Sequence, residues 1–146
     1  MSQAVMAKNG VLAALAAAGS ALAGALGGWD AALQTLLLFM AADYLTGMLV
    51  AGVFRQSGKS EDGALDSRAG FRGLCKKGAQ LVAVLVGARL DVMLGTDWAR
   101  TAVVLFFLGN EGLSILENLG LMGVPLPEAL KNALTVLKSR GEHAEE

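Results

Sequence analysis

The sequence predicts an all-α membrane protein, a bundle of four transmembrane helices (alternatively three) followed by a short C-terminal amphipathic helix. Hydrophobic residues make up 54% of the 146-residue chain and charged residues only 17%, whereas ordinary soluble domains are about a quarter charged. The mean hydropathy is +0.52. Such a composition leaves too few polar residues to cover a soluble fold of this size. We therefore predict that residues 1–146 form a single membrane domain, with the lipid bilayer as a partner.

The charged and sulfur-containing residues argue against several functions. The formal net charge of −1 does not provide the basic surface that binding to nucleic acid needs. The single cysteine, Cys75, cannot form an intrachain disulfide or a cysteine metal cluster. The sequence contains no phosphate-binding loop and no cluster of histidines. We predict no nucleic-acid partner, no metal, no cofactor and no enzymatic activity.

The first uncharged run covers residues 10–29 and is rich in alanine and glycine. As a helix, its 20 residues would rise roughly 30 Å, which matches the hydrocarbon core of a bilayer. Small residues at four-residue spacing favour close helix pairing. The helix-packing candidates are Gly19, Ser20, Gly24, Gly27 and Gly28. An alternative stays open, in which this run is a signal peptide cleaved after Ala23 or lies on the surface, leaving three spans.

The second run covers residues 31–54 and is interrupted by one acid, Asp43. Helical spacing places Asp43, Thr46 and Gly47 on one side of this span. Asp43 would lie roughly 18 Å from the outer end, close to the bilayer midplane. An ionisable residue at that depth is costly and is a functional candidate by default.

The third and fourth runs cover residues 78–95 and 100–122. The third carries Arg89, the only cation expected at the depth of Asp43 and Glu111. Asp91 is a further acid of this group. The sequence therefore predicts that Arg89 pairs with one acid while the others are protonated, or that the acids face water. The fourth run has one polar stripe within about 120° of the helix, which consists of Asn110, Glu111, Ser114, Glu117 and Asn118.

The polar segment between the second and third runs, residues 55–77, is rich in Lys and Arg. Basic loops remain in the cytoplasm, so four spans place both termini on the cytoplasmic side. Folding the third and fourth runs against each other brings Glu117 opposite the basic end of this loop. We expect a salt bridge at the inner interface between Glu117 and Lys77, next to Lys76.

The C-terminal segment, residues 127–140, places leucines at helical spacing and charged residues elsewhere around the wheel. This pattern predicts a short amphipathic helix. Such a helix either lies on the membrane surface or docks on its own protein, and the sequence leaves both possibilities open.

Several motifs resemble those of the toxin-secretion and phage-lysis holin family. The resemblance runs from about Asp43 to Leu137, while the first run and the acidic, glycine-rich insert at residues 57–66 lie outside its motifs. The matching strings are Asp43-Tyr44-Leu45-Thr46-Gly47, Gly70-Phe71-Arg72-Gly73-Leu74-Cys75-Lys76-Lys77, Asn110-Glu111-Gly112-Leu113-Ser114-Ile115-Leu116-Glu117-Asn118 and Val124-Pro125-Leu126-Pro127.

The resemblance implies a small phage-encoded protein that accumulates in the bacterial inner membrane, forms homo-oligomers and opens lesions. A murein-degrading endolysin then reaches the cell wall, without any required contact with the holin, and the host cell lyses. We hypothesise that the polar stripes of the second and fourth spans pair between chains and then line a water-filled hole. Two alternatives remain, a small ion channel or transporter subunit and a non-enzymatic membrane scaffold.

Overall fold

The computed structural model describes residues 2–143, and its elements in this range are helices joined by turns and loops. The all-α prediction is confirmed. Helix α2 continues into a final π-helical turn over Val50–Phe54. The helices are α1 (Gln3–Ala25), α2 (Ala31–Leu49), α3 (Ser67–Leu94), α4 (Trp98–Leu121) and α5 (Glu128–Glu142).

Three of the described helices are long and apolar enough to cross a membrane: Gln3–Ala25, Ala31–Phe54 and Trp98–Leu121. They agree with the first, second and fourth predicted spans. The predicted third span, residues 78–95, is the second half of α3, which has 28 residues. The first half of α3 carries four basic residues, so this helix as a whole lacks the composition of a membrane span.

The basic loop is shorter than the predicted residues 55–77, because α3 already begins at Ser67. Asp66 starts the helix by accepting a hydrogen bond from the backbone N–H of Arg68 at 2.9 Å, which satisfies one of the donors exposed at a helix N-terminus. The sequence interpretation placed the start of the helix at the start of the apolar run, residue 78. A capped helix can begin with exposed polar residues, so α3 starts about three turns earlier than predicted.

The core of the bundle lies between α2, α3 and α4. Leu36 and Met40 of α2 pack with Val84 of α3 and with Val104 and Leu108 of α4, all of them buried. The three helices therefore hold one another in register near their centres, where the functional candidates lie.

Helix α1 stands apart from this core, and none of its residues is buried. Around Gly19 and Gly24 an added Cβ atom would meet nothing within 4 Å, so these candidates have no packing partner within the described chain. Gly27 and Gly28 adopt φ of +93° and +108° and form the turn into α2, a backbone conformation that favours glycine. Pairing of α1 with another copy stays a prediction.

Helix α5 docks on α4 and runs antiparallel to it. A Cβ atom at Gly112 would lie 2.7 Å from Leu134, and one at Gly109 would lie 2.6 Å from Lys138. Gly141 lies against the backbone of Ala102 and Phe106 on α4. Because α4 presents glycines here, the two backbones approach closely. Of the two possibilities left open by the sequence, the structure has the amphipathic helix docked on its own protein.

Candidate functional site

The main polar feature of the bundle is an ion cluster formed by α2, α3 and α4. The Lys77 ammonium lies between two carboxylates, with Nζ 2.7 Å from Asp43 Oδ2 and 2.5 Å from Glu111 Oε2. The side chains of Lys77, Asp43 and Glu111 are only 13%, 9% and 4% exposed. The three helices are thereby joined by one lysine.

Two amides complete the hydrogen bonding of these acids. Gln80 donates from Nε2 to Glu111 Oε1 at 2.7 Å. Asn118 donates from Nδ2 to Asp43 Oδ1 at 3.2 Å and to Thr46 Oγ1 at 2.9 Å. Each carboxylate therefore has a lysine partner on one oxygen and an amide partner on the other. Buried ions persist only when they are paired and hydrogen-bonded in this way.

The cluster lies near the middle of two candidate membrane spans. At about 1.5 Å per residue, Asp43 lies roughly 18 Å along α2 and Glu111 roughly 20 Å along α4, near the middle of both spans. Lys77 reaches the same level because α3 starts early, at Ser67. Two carboxylates and one ammonium form a unit with a formal charge of −1, which lipid alone does not solvate.

A cavity of about 490 Å³ opens beside the cluster, between α2, α3, α4 and the loop that precedes α3. Besides the ion cluster itself, polar side chains of Ser114, Glu117 and Lys76 line it. Gln80 Oε1 also borders this region and is buried without a hydrogen-bond partner among residues 2–143. A polar cavity of this size accommodates water next to the buried charges.

A second polar feature joins the N-terminal end of α4 to the turn between α1 and α2. Arg100 holds Asp30 with two hydrogen bonds, from Nη1 to Oδ2 at 2.7 Å and from Nη2 to Oδ1 at 3.1 Å. Its Nε donates to the carbonyl oxygen of Leu26 at the end of α1. The hydrogen bonds from Arg100, together with the backbone N–H of Leu33, hold the pKa of Asp30 below its usual value. We call this pair the Arg100–Asp30 clasp.

The adjoining turn between α3 and α4 is fixed by Asp91. This carboxylate accepts hydrogen bonds from the backbone N–H groups of Ala99 and Arg100, both at 2.9 Å, and from Thr96 Oγ1 at 2.7 Å. It therefore satisfies donors at the N-terminus of α4 and presents Arg100 to Asp30. Asp91 is buried for a structural reason and stands outside the ion cluster.

With this geometry established, comparison with known proteins identifies the family. The model of the bacteriophage holin family matches residues 20–139. This chain belongs to that family. The holin family is not an enzyme family. The match includes α2, α3 and α4, and so it contains the ion cluster and the Arg100–Asp30 clasp of this holin-family protein.

Individual relatives agree with this assignment. An uncharacterised 14.9 kDa protein of Clostridium perfringens is 46% identical over 116 residues, which cover 78% of this chain and 82% of that protein. An uncharacterised protein of Listeria monocytogenes is 38% identical over 118 residues, or 80% and 79% of the two chains. A probable holin of Bacillus phage phi105 is 31% identical over 115 residues, or 78% and 79%. No solved structure shows significant similarity to this holin-family chain.

The structure of this holin-family protein brings together most of the predicted polar residues. Asp43, Thr46, Glu111 and Asn118 are joined by hydrogen bonds within one chain. The remaining predicted residues at this place line the adjacent cavity, and they are Gly47, Asn110, Ser114 and Glu117. In the described chain the two stripes contact each other, and their pairing between chains stays a prediction.

Two ion pairs that the sequence suggested do not form among the described residues. Arg89 lies on an exposed position of α3 and not beside the acids, and Lys77 takes that place. Glu117 is exposed and forms no ion pair within the described chain, since Lys77 points to Asp43 and Glu111 instead. Lys76 is exposed at the cavity edge. Both errors have one cause: starting the third helix at residue 78 places Lys77 at the membrane surface, whereas the longer α3 places it in the bundle.

The sequence interpretation also missed Arg100 and Gln80. A signal for Arg100 was present, because this basic residue stands at the start of the fourth run, at the end far from the basic loop. A cation that contradicts the positive-inside rule is expected to have a specific acidic partner. Gln80 gave no comparable signal, since an uncharged amide at the edge of a polar loop is common.

Proposed function

We propose that this holin-family protein accumulates in the bacterial inner membrane, assembles with copies of itself and opens lesions through which an endolysin reaches the cell wall. The observation that carries the proposal is the family match over residues 20–139. The probable holin of Bacillus phage phi105 supports it. We also propose that the basic residues that precede and begin α3 stay on the cytoplasmic side.

The ion cluster supports a mechanism with two states. In the closed chain, Lys77 neutralises much of the charge of Asp43 and Glu111, which lets α2, α3 and α4 remain together at membrane depth. Helix α1 has no buried residue, so its glycine-rich surface is free to pair with another copy. In the assembled state, water entering next to the cluster stabilises the separated charges that lipid cannot.

The proposal is tested by inducing the protein in a bacterium together with a cytoplasmic murein hydrolase that has no signal peptide. We expect abrupt lysis at a reproducible time when both are present. The hydrolase alone is the control and should leave the culture intact. Gradual lysis that does not need the hydrolase, or continued growth with both proteins in place, would contradict the proposal.

A second candidate function is an ion channel, which the polar cavity next to the ion cluster favours. A channel would dissipate the membrane potential while cytoplasmic proteins stay inside the cell. Measuring potassium efflux and release of a cytoplasmic reporter enzyme in the same culture separates the two functions. Harmless expression, with neither kind of release, would instead favour a membrane scaffold.

A further inference from the structure

Helix α5 lies at a depth that conflicts with its composition. Its docking brings Lys138 to the level of Gly109 and Gly141 to the level of Phe106, which are central positions of the span Trp98–Leu121. The docked face is well adapted to α4: Leu134 is buried, and the Lys138 ammonium lies 5.5 Å from the centre of the Phe106 ring. If α4 crosses the membrane, α5 lies alongside it within the bilayer thickness.

One side of the exposed surface of α5 is polar along the whole helix, whereas Leu130 and Val136 are exposed on the other side. At 100° per residue, six exposed polar residues fall within an arc of about 100°, and we call this surface the α5 stripe. It consists of Glu128, Lys131, Asn132, Thr135, Ser139 and Glu142. Hydrocarbon cannot solvate such a surface, because each charged group at that depth costs several kcal/mol. The α5 stripe therefore needs water while α5 stays docked.

The ion cluster, in contrast, is enclosed by helices of its own chain. Asp43, Lys77 and Glu111 are buried and mutually paired, whereas the residues of the α5 stripe are exposed. The α5 stripe therefore points away from the rest of its own chain, whereas the ion cluster points into it.

We infer that the α5 stripe lines the water-filled interior of a homo-oligomeric lesion, with α4 behind it as the wall. The inference rests on the proposed function and deepens it, because it names the surface that faces the lumen. A single α5 cannot enclose water, so the surfaces opposite it belong to further copies of this chain. Each copy contributes its polar face to the lumen and its span to the contact with lipid.

The experiment first asks whether α5 stays docked when lesions open. The protein is reconstituted in phospholipid vesicles loaded with fluorescent dextran, with Cys75→Ser and Trp29→Phe as background and a bimane dye on Glu142→Cys. Docking places Gly141, the neighbour of the labelled position, against Ala102, and Trp98 lies about one turn of α4 beyond Ala102. Tryptophan quenches bimane on close approach. We expect quenching to persist during dextran release and to be lost in the matched control that also carries Trp98→Phe.

The second measurement asks what the α5 stripe faces. A bimane dye on Thr135→Cys should be quenched by aqueous iodide and not by lipids that carry a nitroxide on the acyl chain. The control is Leu38→Cys on α2, where the side chain is 69% exposed at membrane depth. It should show the opposite pattern. Both labelled positions are exposed, so the substitutions leave the packing intact.

The outcomes separate the inference from the proposed function. Loss of the Trp98-dependent quenching once dextran escapes would mean that α5 leaves α4, and it would overturn the inference. Quenching at Thr135→Cys by the nitroxide lipid would overturn it as well. Failure of the unlabelled protein to release dextran at any density in the membrane would contradict the proposed function instead.

Discussion

Lys77 Nζ lies 2.7 Å from Asp43 Oδ2, across the interface between α2 and α3. Its second partner, Glu111, belongs to α4, so one ammonium is shared by the three helices that form the core. This relationship explains how two acids are kept at membrane depth, and it leads to the first two predictions.

Replacing Lys77 with methionine should strongly destabilise the bundle. The apolar side chain fills a similar space but leaves Asp43 and Glu111 buried next to each other without a cation. Removing one partner of a buried ion pair costs about 3–5 kcal/mol. Denaturant unfolding of the purified protein in detergent measures the loss. Lys76→Met, at the exposed neighbouring position, is the control, and equal stability of the two variants would disprove the role of Lys77.

Replacing Glu111 with glutamine should delay or abolish lesions while leaving insertion into the membrane intact. The amide retains the shape and the hydrogen bond with Gln80, but the −1 charge of the cluster is lost and with it the gain from admitting water. Lysis time after induction, together with the amount of protein in the membrane fraction, gives the result. Glu117→Gln, at an exposed position of the same helix, should lyse on time. An unchanged lysis time in Glu111→Gln would show that the charge of the cluster does not drive lesion opening.

The Arg100–Asp30 clasp predicts a loss of stability in acid. Hydrogen bonds from Arg100 hold the pKa of folded Asp30 below its ordinary value of 3.8. The clasp therefore contributes its full stability above pH 3.8 and loses it as the pH falls from there through the folded pKa. Unfolding midpoints measured from neutral pH down to about pH 2 should fall less steeply for Asp30→Asn than for the wild type. Parallel pH profiles would show that the clasp is too solvent-exposed to matter.

Replacing Gly109 with alanine should detach α5 from α4. The new Cβ atom would lie 2.6 Å from Lys138 and 2.7 Å from the carbonyl oxygen of Leu134. Overpacking of this kind costs about 1–3 kcal/mol. Trypsin should then cleave α5 faster in detergent. At Gly120, on the same helix, an added Cβ atom meets nothing within 4 Å, so Gly120→Ala should be cleaved at the wild-type rate. Equal cleavage of both variants would contradict the close packing.

Periodicity and composition were sufficient for the fold class and for the helices that are apolar. The runs at residues 31–54 and 100–122 correspond closely to α2 with its π-helical turn and to α4. Such runs can be recognised in the sequence because a helix that crosses a bilayer needs a long, almost uncharged stretch. The start of α3 was misplaced, because the polar residues that begin it obey no apolar period and the Asp66 cap is a weak local signal.

Parts of the candidate site could also be predicted from the sequence. Burying an acid within an apolar run costs free energy wherever the helix packs, so Asp43 and Glu111 were identified without knowledge of their neighbours. Their partner, Lys77, was not identified. Choosing Lys77 over Arg89 required the rotation and register of α3, which depend on how Val84 packs against α2 and α4.

The sequence by itself determined that the chain is helical, that it belongs in a membrane and that its buried acids need compensation, because these follow from the cost of moving each side chain out of water. Tertiary structure alone decided that Lys77 supplies the compensation, that Arg100 joins two turns, and that α5 lies on α4. Those outcomes depend on distances between residues far apart in the chain, which only the packing of complete helices sets.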